Sequence, residues 1–341
     1  MQKKVITRLL LLAGIIALAY LISVTGKKGE YITLVGFAQG TSYHIIYESK
    51  NREDFQAPVD SLLTDFDRSL SIYQPSSLIS RFNRNEPGTL ADDKFTTIFN
   101  KSYEVFKNTN GAFDITVGPV VNALGFGNTD TLQVDSTMID SLLQYVGMEK
   151  VSLKDGVLMK QNSNILLDVN AIAQGYSVDL VAKFLEQRNI RNYMVEIGGE
   201  VRARGKNEMN QVWRIGIDKP IEGNIIPGAD LQAILRLNNR SLATSGNYRK
   251  YYEKNGIKFV HTINPKTGYP VVSNLLSATV VASDCTTADA YATALMVFGV
   301  ERSISFLKEN KFLEAYLIYT DQEGRFRVYS TKGLQRFIEE Q

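Results

Sequence analysis

Two side chains in the C-terminal third of the sequence have the types and spacing to hold a cation. Asp289 and Thr293 stand four apart in Ala288-Asp289-Ala290-Tyr291-Ala292-Thr293-Ala294-Leu295-Met296-Val297-Phe298, a run that stops at Gly299. Four residues make about one helical turn, so the carboxylate and the hydroxyl share a face. The rest of that helix is apolar nearly all round, and a carboxylate in such surroundings is costly unless a partner or a cation neutralises it. Oxygen donors without a second nearby histidine or a cysteine cluster favour a hard cation such as magnesium over zinc. The same residues also read as structural, with Asp289 bonding a neighbouring loop and Thr293 bonding back to the carbonyl one turn earlier. Spacing alone leaves both readings open.

Other residues with chemical potential lie at turns. His261 ends the strand Ile257-Lys258-Phe259-Val260-His261-Thr262-Ile263, and Asn264-Pro265-Lys266-Thr267-Gly268-Tyr269-Pro270 then forces a turn. A histidine near its ordinary pKa suits proton removal at neutral pH. The other histidine, His44, sits in an alternating strand, where an open sheet face is its expected place. In Asn110-Gly111-Ala112-Phe113-Asp114-Ile115-Thr116-Val117-Gly118-Pro119, two glycines and a proline surround one phenylalanine and one carboxylate, which suggests backbone held close to a ligand. A buried strand over residues 165–170, turning into a helix that runs to Arg188, puts Asp168 and Gln174 at a junction of the kind that often opens a ligand site. Gly198 and Gly199, at the end of a strand over residues 194–201, can bring backbone amides near phosphate oxygens.

The runs Thr244-Ser245-Gly246-Asn247-Tyr248, His261 to Gly268, and Asp289-Ala290-Tyr291-Ala292-Thr293 closely resemble the ApbE family, whose members are magnesium-dependent FAD:protein FMN transferases. Further pieces follow in the family's order: Gly40-Thr41, Ser71-Ile72-Tyr73, Ala112-Phe113-Asp114, Leu167-Asp168-Val169, Gly175-Tyr176-Ser177-Val178-Asp179 and Gly198-Gly199-Glu200. The resemblance implies an α+β fold of mixed β-sheets flanked by helices, ApbE-like or T-fold-like, with the cofactor in a cleft between two lobes. It implies FAD as substrate, met by Gln39, Gly40, Thr41, Tyr73, Ala112, Phe113, Asp114, Asp168, Gln174 and His261. It implies magnesium held by the Ala171 carbonyl, Asp289 and Thr293, with the Ala292 backbone close by. FMN would pass to a threonine of a target protein, for example a redox-pump subunit, within a segment resembling Asp/Ser-Gly-Ala-Thr, and AMP would leave. This chain carries no such segment of its own.

Two positions depart from the family pattern. Gln174 stands where lysine is commoner; a neutral amide still donates hydrogen bonds, so a weaker hold on the nucleotide is expected. Asn264 stands where aspartate commonly precedes the proline; either side chain can lock the turn, but asparagine cannot serve as a base, which puts proton transfer on His261. With these departures, two other readings stay open: an FAD pyrophosphatase giving FMN and AMP, and a periplasmic FAD-binding protein without catalysis.

The elements that must position these residues are those of a globular chain. Its 341 residues are 44% hydrophobic, enough to bury one large core or two small ones. With 38 basic against 36 acidic side chains, and no basic cluster beyond the N-terminus, there is no footprint for nucleic acid. A single cysteine, Cys285, excludes an internal disulfide and any cysteine-built metal site, and reads as a small buried residue. Asp179 reads as a helix-face or capping partner. Helical spacing is expected over residues 60–69, 93–109, 136–146 and 334–338, and strands over 31–38, 43–47, 213–217, 277–282, 315–319 and 326–330. Residues 1–25 carry Lys3, Lys4 and Arg8 and then an apolar run from Leu9 to Val24, an export signal or membrane anchor that would send the domain over residues 26–341 to the periplasmic side. No cysteine follows that run to take a lipid.

Overall fold

The computed structural model describes residues 29–126, 135–221, 223–224, 226, 228–247, 251–254, 257–260 and 262–340. Strand β1 (Glu30–Ala38) turns into β2 (Thr41–Ser49) through Gln39 and Gly40, at φ 54° and 75°. Positive φ at both central residues is the turn whose twist matches an antiparallel pair. Helices α1 (Gln56–Leu70), α2 (Leu78–Asn83), α3 (Asp93–Asn108), α4 (Gly118–Ala123) and α5 (Ser136–Leu143) follow, then the hairpin β3 (Val151–Lys154) and β4 (Val157–Lys160), and the helix α6 (Asn170–Gln187). The second half runs β5 (Tyr193–Ile197), β6 (Glu200–Arg204), β7 (Trp213–Asp218), β8 (Leu231–Leu237), β9 (Arg240–Gly246), β10 (Tyr251–Lys254), β11 (Ile257–Val260), β12 (Leu275–Ala282), α7 (Cys285–Phe298), α8 (Val300–Glu309), β13 (Glu314–Thr320), β14 (Phe326–Ser330), α9 (Lys332–Gln335) and β15 (Ile338–Glu340).

Eight strands form one sheet in the order β1-β2-β5-β6-β9-β12-β13-β14, and β15-β8-β7 form a smaller one. Side chains alternate across the large sheet. Ala243, Val280 and Leu317 pack under the helices, whereas Leu242, Val281 and Ile318 pack on Trp213, Ile217 and Leu235 of the small sheet. Both faces of the middle strands are therefore buried, and in β12 every residue but Leu276 is buried, Ser277 and Thr279 included.

The α+β class with sheets flanked by helices is what the structure has, with three corrections. The sheets expected to be mixed are antiparallel in every ladder among the described residues. Alternation marks a residue run as a strand and carries no information about its direction. The single strand expected over residues 194–201 is a hairpin, β5 to β6, with Gly198 and Gly199 as its bend at φ 66° and 107°. The C-terminal helix expected over residues 334–338 is the short α9 followed by β15, because Ile338 to Glu340 complete the small sheet against β8.

The segment expected as a strand over residues 165–170 is extended but joins no ladder. Leu166 makes an isolated bridge to Val117, and Asp168 N–H donates to the Ile115 carbonyl at 2.7 Å. Asn83, the last residue of α2, takes the place of a neighbouring strand: Leu167 N–H donates to its Oδ1 at 2.8 Å, and its Nδ2 donates to the Leu167 carbonyl at 2.9 Å. Among the described residues no helix is long and apolar enough to cross a membrane, and the expected signal or anchor over residues 1–25 lies outside them.

Asn83 thus fixes the main chain one residue before Asp168. Replacing it, Asn83→Ala, leaves two main-chain groups without their partner and should cost about 1–3 kcal/mol. Urea denaturation measures this, and Asn83→Asp, which keeps only the acceptor, should fall between wild type and alanine.

Candidate functional site

The site is built where α6 crosses α7. A Cβ at Gly175 would collide with the Cys285 carbonyl oxygen and stand 2.7 Å from Asp289 Cβ, so the two helix backbones touch at this glycine. Its N–H donates to Asp289 Oδ2 at 2.9 Å. One turn further along α6, Asp179 accepts from Cys285 N–H at 3.0 Å, from Thr286 N–H at 2.8 Å and from the Thr286 hydroxyl at 2.6 Å. It also pairs with Arg202 at 2.8 Å. Asp179 is a capping partner for α7, as its position suggested, and Asp284 caps the same end by accepting from Thr287 N–H at 2.8 Å. Cys285 is fully buried.

These contacts step down one helix and up the other, so the helices run antiparallel. Extended by one more turn, the same register would pair Ala171 of α6 with Thr293 of α7. On that register the residues expected as ligands lie along one seam: Asp289 buried, Ala171 and Thr293 half-buried, and Ala292 fully enclosed beside them.

Asp289 is only 8% exposed. Burial pushes its pKa up, to about 7; the Gly175 amide works the other way, and the charge of Asp179 raises it further. It makes no ion pair with any described cation. Three acidic, histidine or cysteine side chains do not gather anywhere among the described residues. A cation here would have one carboxylate, one hydroxyl and main-chain carbonyls, a donor set that fits magnesium rather than zinc.

The second turn of α6 meets two hairpin bends. A Cβ at Gly198 would stand 2.5 Å from Gln174 Nε2 and 2.9 Å from Thr41 Cγ2, so Gln174, the β5–β6 bend and the start of β2 are in contact. The Ser177 hydroxyl reaches the Gln174 carbonyl at 2.7 Å and Gln39 Oε1 at 3.2 Å. Gln39, Thr41 and Gln174, distant in sequence, are thereby neighbours. Ser177, which sequence reasoning passed over, links two of them.

The first turn of α6 borders an open depression of ≈ 230 Å³ lined by Tyr73, Arg84, Asn122 and Asp168 among others. Tyr73 is 59% exposed, and its hydroxyl accepts from Asn170 Nδ2 at 3.2 Å. Asp168 Oδ1 accepts from Asn170 N–H at 2.9 Å, and burial raises its pKa. The α6 amides at this end are largely taken: Asn170 N–H by Asp168, and Ile172 and Ala173 N–H by the Val169 carbonyl at 3.0 and 2.9 Å. Ala112 and Phe113 are buried, backbone included. The Asp114 carboxylate accepts from Thr116 N–H at 2.8 Å, the Thr116 hydroxyl at 2.6 Å and Met148 N–H at 3.3 Å, while burial lifts its pKa to about 6. Its contacts hold the loop in shape.

His261 lies outside the described residues. The turn after it is locked by Asn264, whose Oδ1 accepts from Lys266 N–H at 2.9 Å and whose carbonyl accepts from Gly268 N–H at 2.8 Å. Asparagine does the structural work expected of this position. Sequence reasoning named Gly175 only as part of the Gly175-Tyr176-Ser177-Val178-Asp179 motif and gave it no role; a glycine inside a helical pattern was the further signal.

A family model described as the ApbE family matches residues 39–317. The FAD:protein FMN transferase of Haemophilus influenzae is 36% identical, covering 96% of this chain and 98% of the relative. That of Vibrio cholerae is 34% identical, covering 95% and 98%. Among solved structures, the flavin transferase ApbE from Vibrio cholerae aligns with a TM-score of 0.81 at 33% identity, over 91% of this chain and 99% of that one. The apo flavinyl transferase ApbE of Pseudomonas stutzeri aligns at 0.80 with 28% identity, over 91% and 97%.

The Asp289 environment predicts a pH effect of definite sign. Its folded-state pKa lies above the ordinary carboxylate value of 3.8, so the unfolded chain ionises first as pH rises, and the metal-free fold loses this contribution between about pH 4 and pH 7. Differential scanning fluorimetry in chelator should show a larger fall in Tm from about pH 5.5 to pH 8 for wild type than for Asp289→Asn. Magnesium should raise Tm more at pH 8 than at pH 5.5.

Proposed function

Because the chain belongs to the ApbE family, we propose that it moves FMN from FAD to a threonine hydroxyl of a target protein, releasing AMP and leaving the flavin phosphoester-linked. The observation that supports this beyond family membership is Asp289, a buried carboxylate without a cationic partner among the described residues, held by the Gly175 amide of the adjoining helix. The transfer breaks the bond from the FMN phosphorus to the bridging pyrophosphate oxygen and forms one from the threonine Oγ to that phosphorus. The threonine proton passes to a base.

In this reading Asp289, Thr293 and the Ala171 carbonyl hold magnesium, with the Ala292 backbone beside them. Bound magnesium supplies charge stabilisation for the phosphoryl oxygens and the departing AMP. FAD lies in a cleft between two lobes, its length following the first two turns of α6. Tyr73 and Asp168 border it at one end; Gln39, Gly40, Thr41 and Gln174 border it at the other. The loop at Ala112 and Phe113, kept in shape by Asp114, stands behind the wall. His261 takes the proton, since Asn264 is occupied with its turn and cannot act as a base. The acceptor is a protein with a segment resembling Asp/Ser-Gly-Ala-Thr, such as a redox-pump subunit. The domain works on the periplasmic side of the inner membrane, with residues 1–25 as signal or anchor.

Incubation with FAD, magnesium and an acceptor carrying such a segment should leave flavin fluorescence on the denatured acceptor. His261→Ala should slow transfer about a hundredfold or more while FAD binding persists. Flavin found only in the small-molecule fraction would instead identify a pyrophosphatase. For location, the full chain should sediment with membranes and be cut by protease added to spheroplasts; a chain lacking residues 1–25 that still reaches the periplasm would refute the N-terminal assignment.

A further inference from the structure

Resting on the ion site proposed above, we infer that the Gly175 amide is a positioning group that prepares two ligands at once: it fixes the Asp289 carboxylate and withdraws from the Ala171 carbonyl. In a regular helix the N–H of residue 175 belongs to the carbonyl of residue 171. Here it donates to Asp289 Oδ2 at 2.9 Å. An N–H carries one hydrogen, so whatever strength it gives Asp289 is lost to Ala171. The Ala171 carbonyl then shares that hydrogen with the carboxylate, and its second lone pair keeps acceptor capacity for another partner.

The approach is possible only at a glycine, because any Cβ would collide with the Cys285 carbonyl oxygen. Among the described residues no other group donates to the carboxylate. The amides at the start of α7 are taken by Asp179 and Asp284, at Cys285, Thr286 and Thr287. Asp289 is therefore held by one oxygen, with Oδ1 left for the seam that Ala171 and Thr293 share. One hydrogen bond orients the charged donor and frees the neutral one, with no added side chain.

The direct substitution Gly175→Ala forces the helices apart and confounds folding with binding. A cleaner variant replaces Gly175 by glycolic acid through in vitro suppression, turning the amide into an ester and deleting the N–H without adding bulk. Circular dichroism checks the fold. Titration calorimetry with magnesium chloride, alone and with FAD, should show magnesium bound by wild type, lost in Asp289→Ala, and weakened about 10- to 100-fold in the ester. FAD affinity without magnesium should not move.

A second readout needs no variant. Labelling with 13C-carbonyl alanine and 15N-isoleucine selects two peptide bonds in this sequence, Ala171-Ile172 and Ala233-Ile234. Magnesium should shift the Ala171 carbonyl and leave Ala233, in β8, where it was. If wild type binds magnesium and Asp289→Ala does not, yet the ester binds as wild type does or the Ala171 signal stays fixed, the inference is wrong and the site stands. If wild type binds no magnesium, or Asp289→Ala still binds it, the site fails and takes the inference with it.

Discussion

Two helix backbones in contact at Gly175 are the constraint on which the rest of the site depends. The contact brings an amide of α6 onto a carboxylate of α7 and sets the helices in antiparallel register, so that residues from two distant stretches line one seam. A methyl group at that point would separate the helices and dissolve the register. Asp179 reinforces it from the next turn by accepting from the first amides of α7. A buried carboxylate such as Asp289 is then tolerated although burial raises its pKa. A site that must attract a cation is one where that cost serves a purpose.

The remainder of the fold holds α6 still. A sheet whose middle strands are buried on both faces forms its floor, and two hairpin bends from that sheet, at Gln39-Gly40 and Gly198-Gly199, close around the second turn of the helix. Its first turn grows out of an extended segment fixed by Asn83 and by the Ile115 carbonyl rather than by a ladder. Asp114 and Asn264 spend their polar atoms on their own loops. For Asn264 this explains how a departure from the family pattern is accommodated: the turn needs an acceptor at that side chain, and asparagine has one. For Gln174, contact with Gly198 and Thr41 places a neutral amide where the family commonly has a charge.

The family was legible in the order of short motifs, and the family model matching residues 39–317 agrees with it. What was legible as structure was uneven. The helix boundaries over residues 93–108 and the hairpin at Gln39-Gly40 follow from capping by Asp92 and from turn chemistry, both local. The segment around Asp168 has the composition of a strand and the backbone of one, but its partner is the Asn83 side chain, which no pattern in residues 165–170 could announce.

The sequence by itself determined the class of the chain, the family, and which polar residues interrupt otherwise apolar stretches, because periodicity, composition and motif order are properties of neighbours along the chain. Only the tertiary structure decided that Asp179 is a cap, that every ladder among the described residues is antiparallel, that Ser177 links Gln39 to Gln174, and that Gly175 is the point where α6 meets Asp289. The contacts of Asp179, Gly175 and Gln39 each join atoms more than a hundred residues apart in the chain, and such approach is set by packing rather than by local preference.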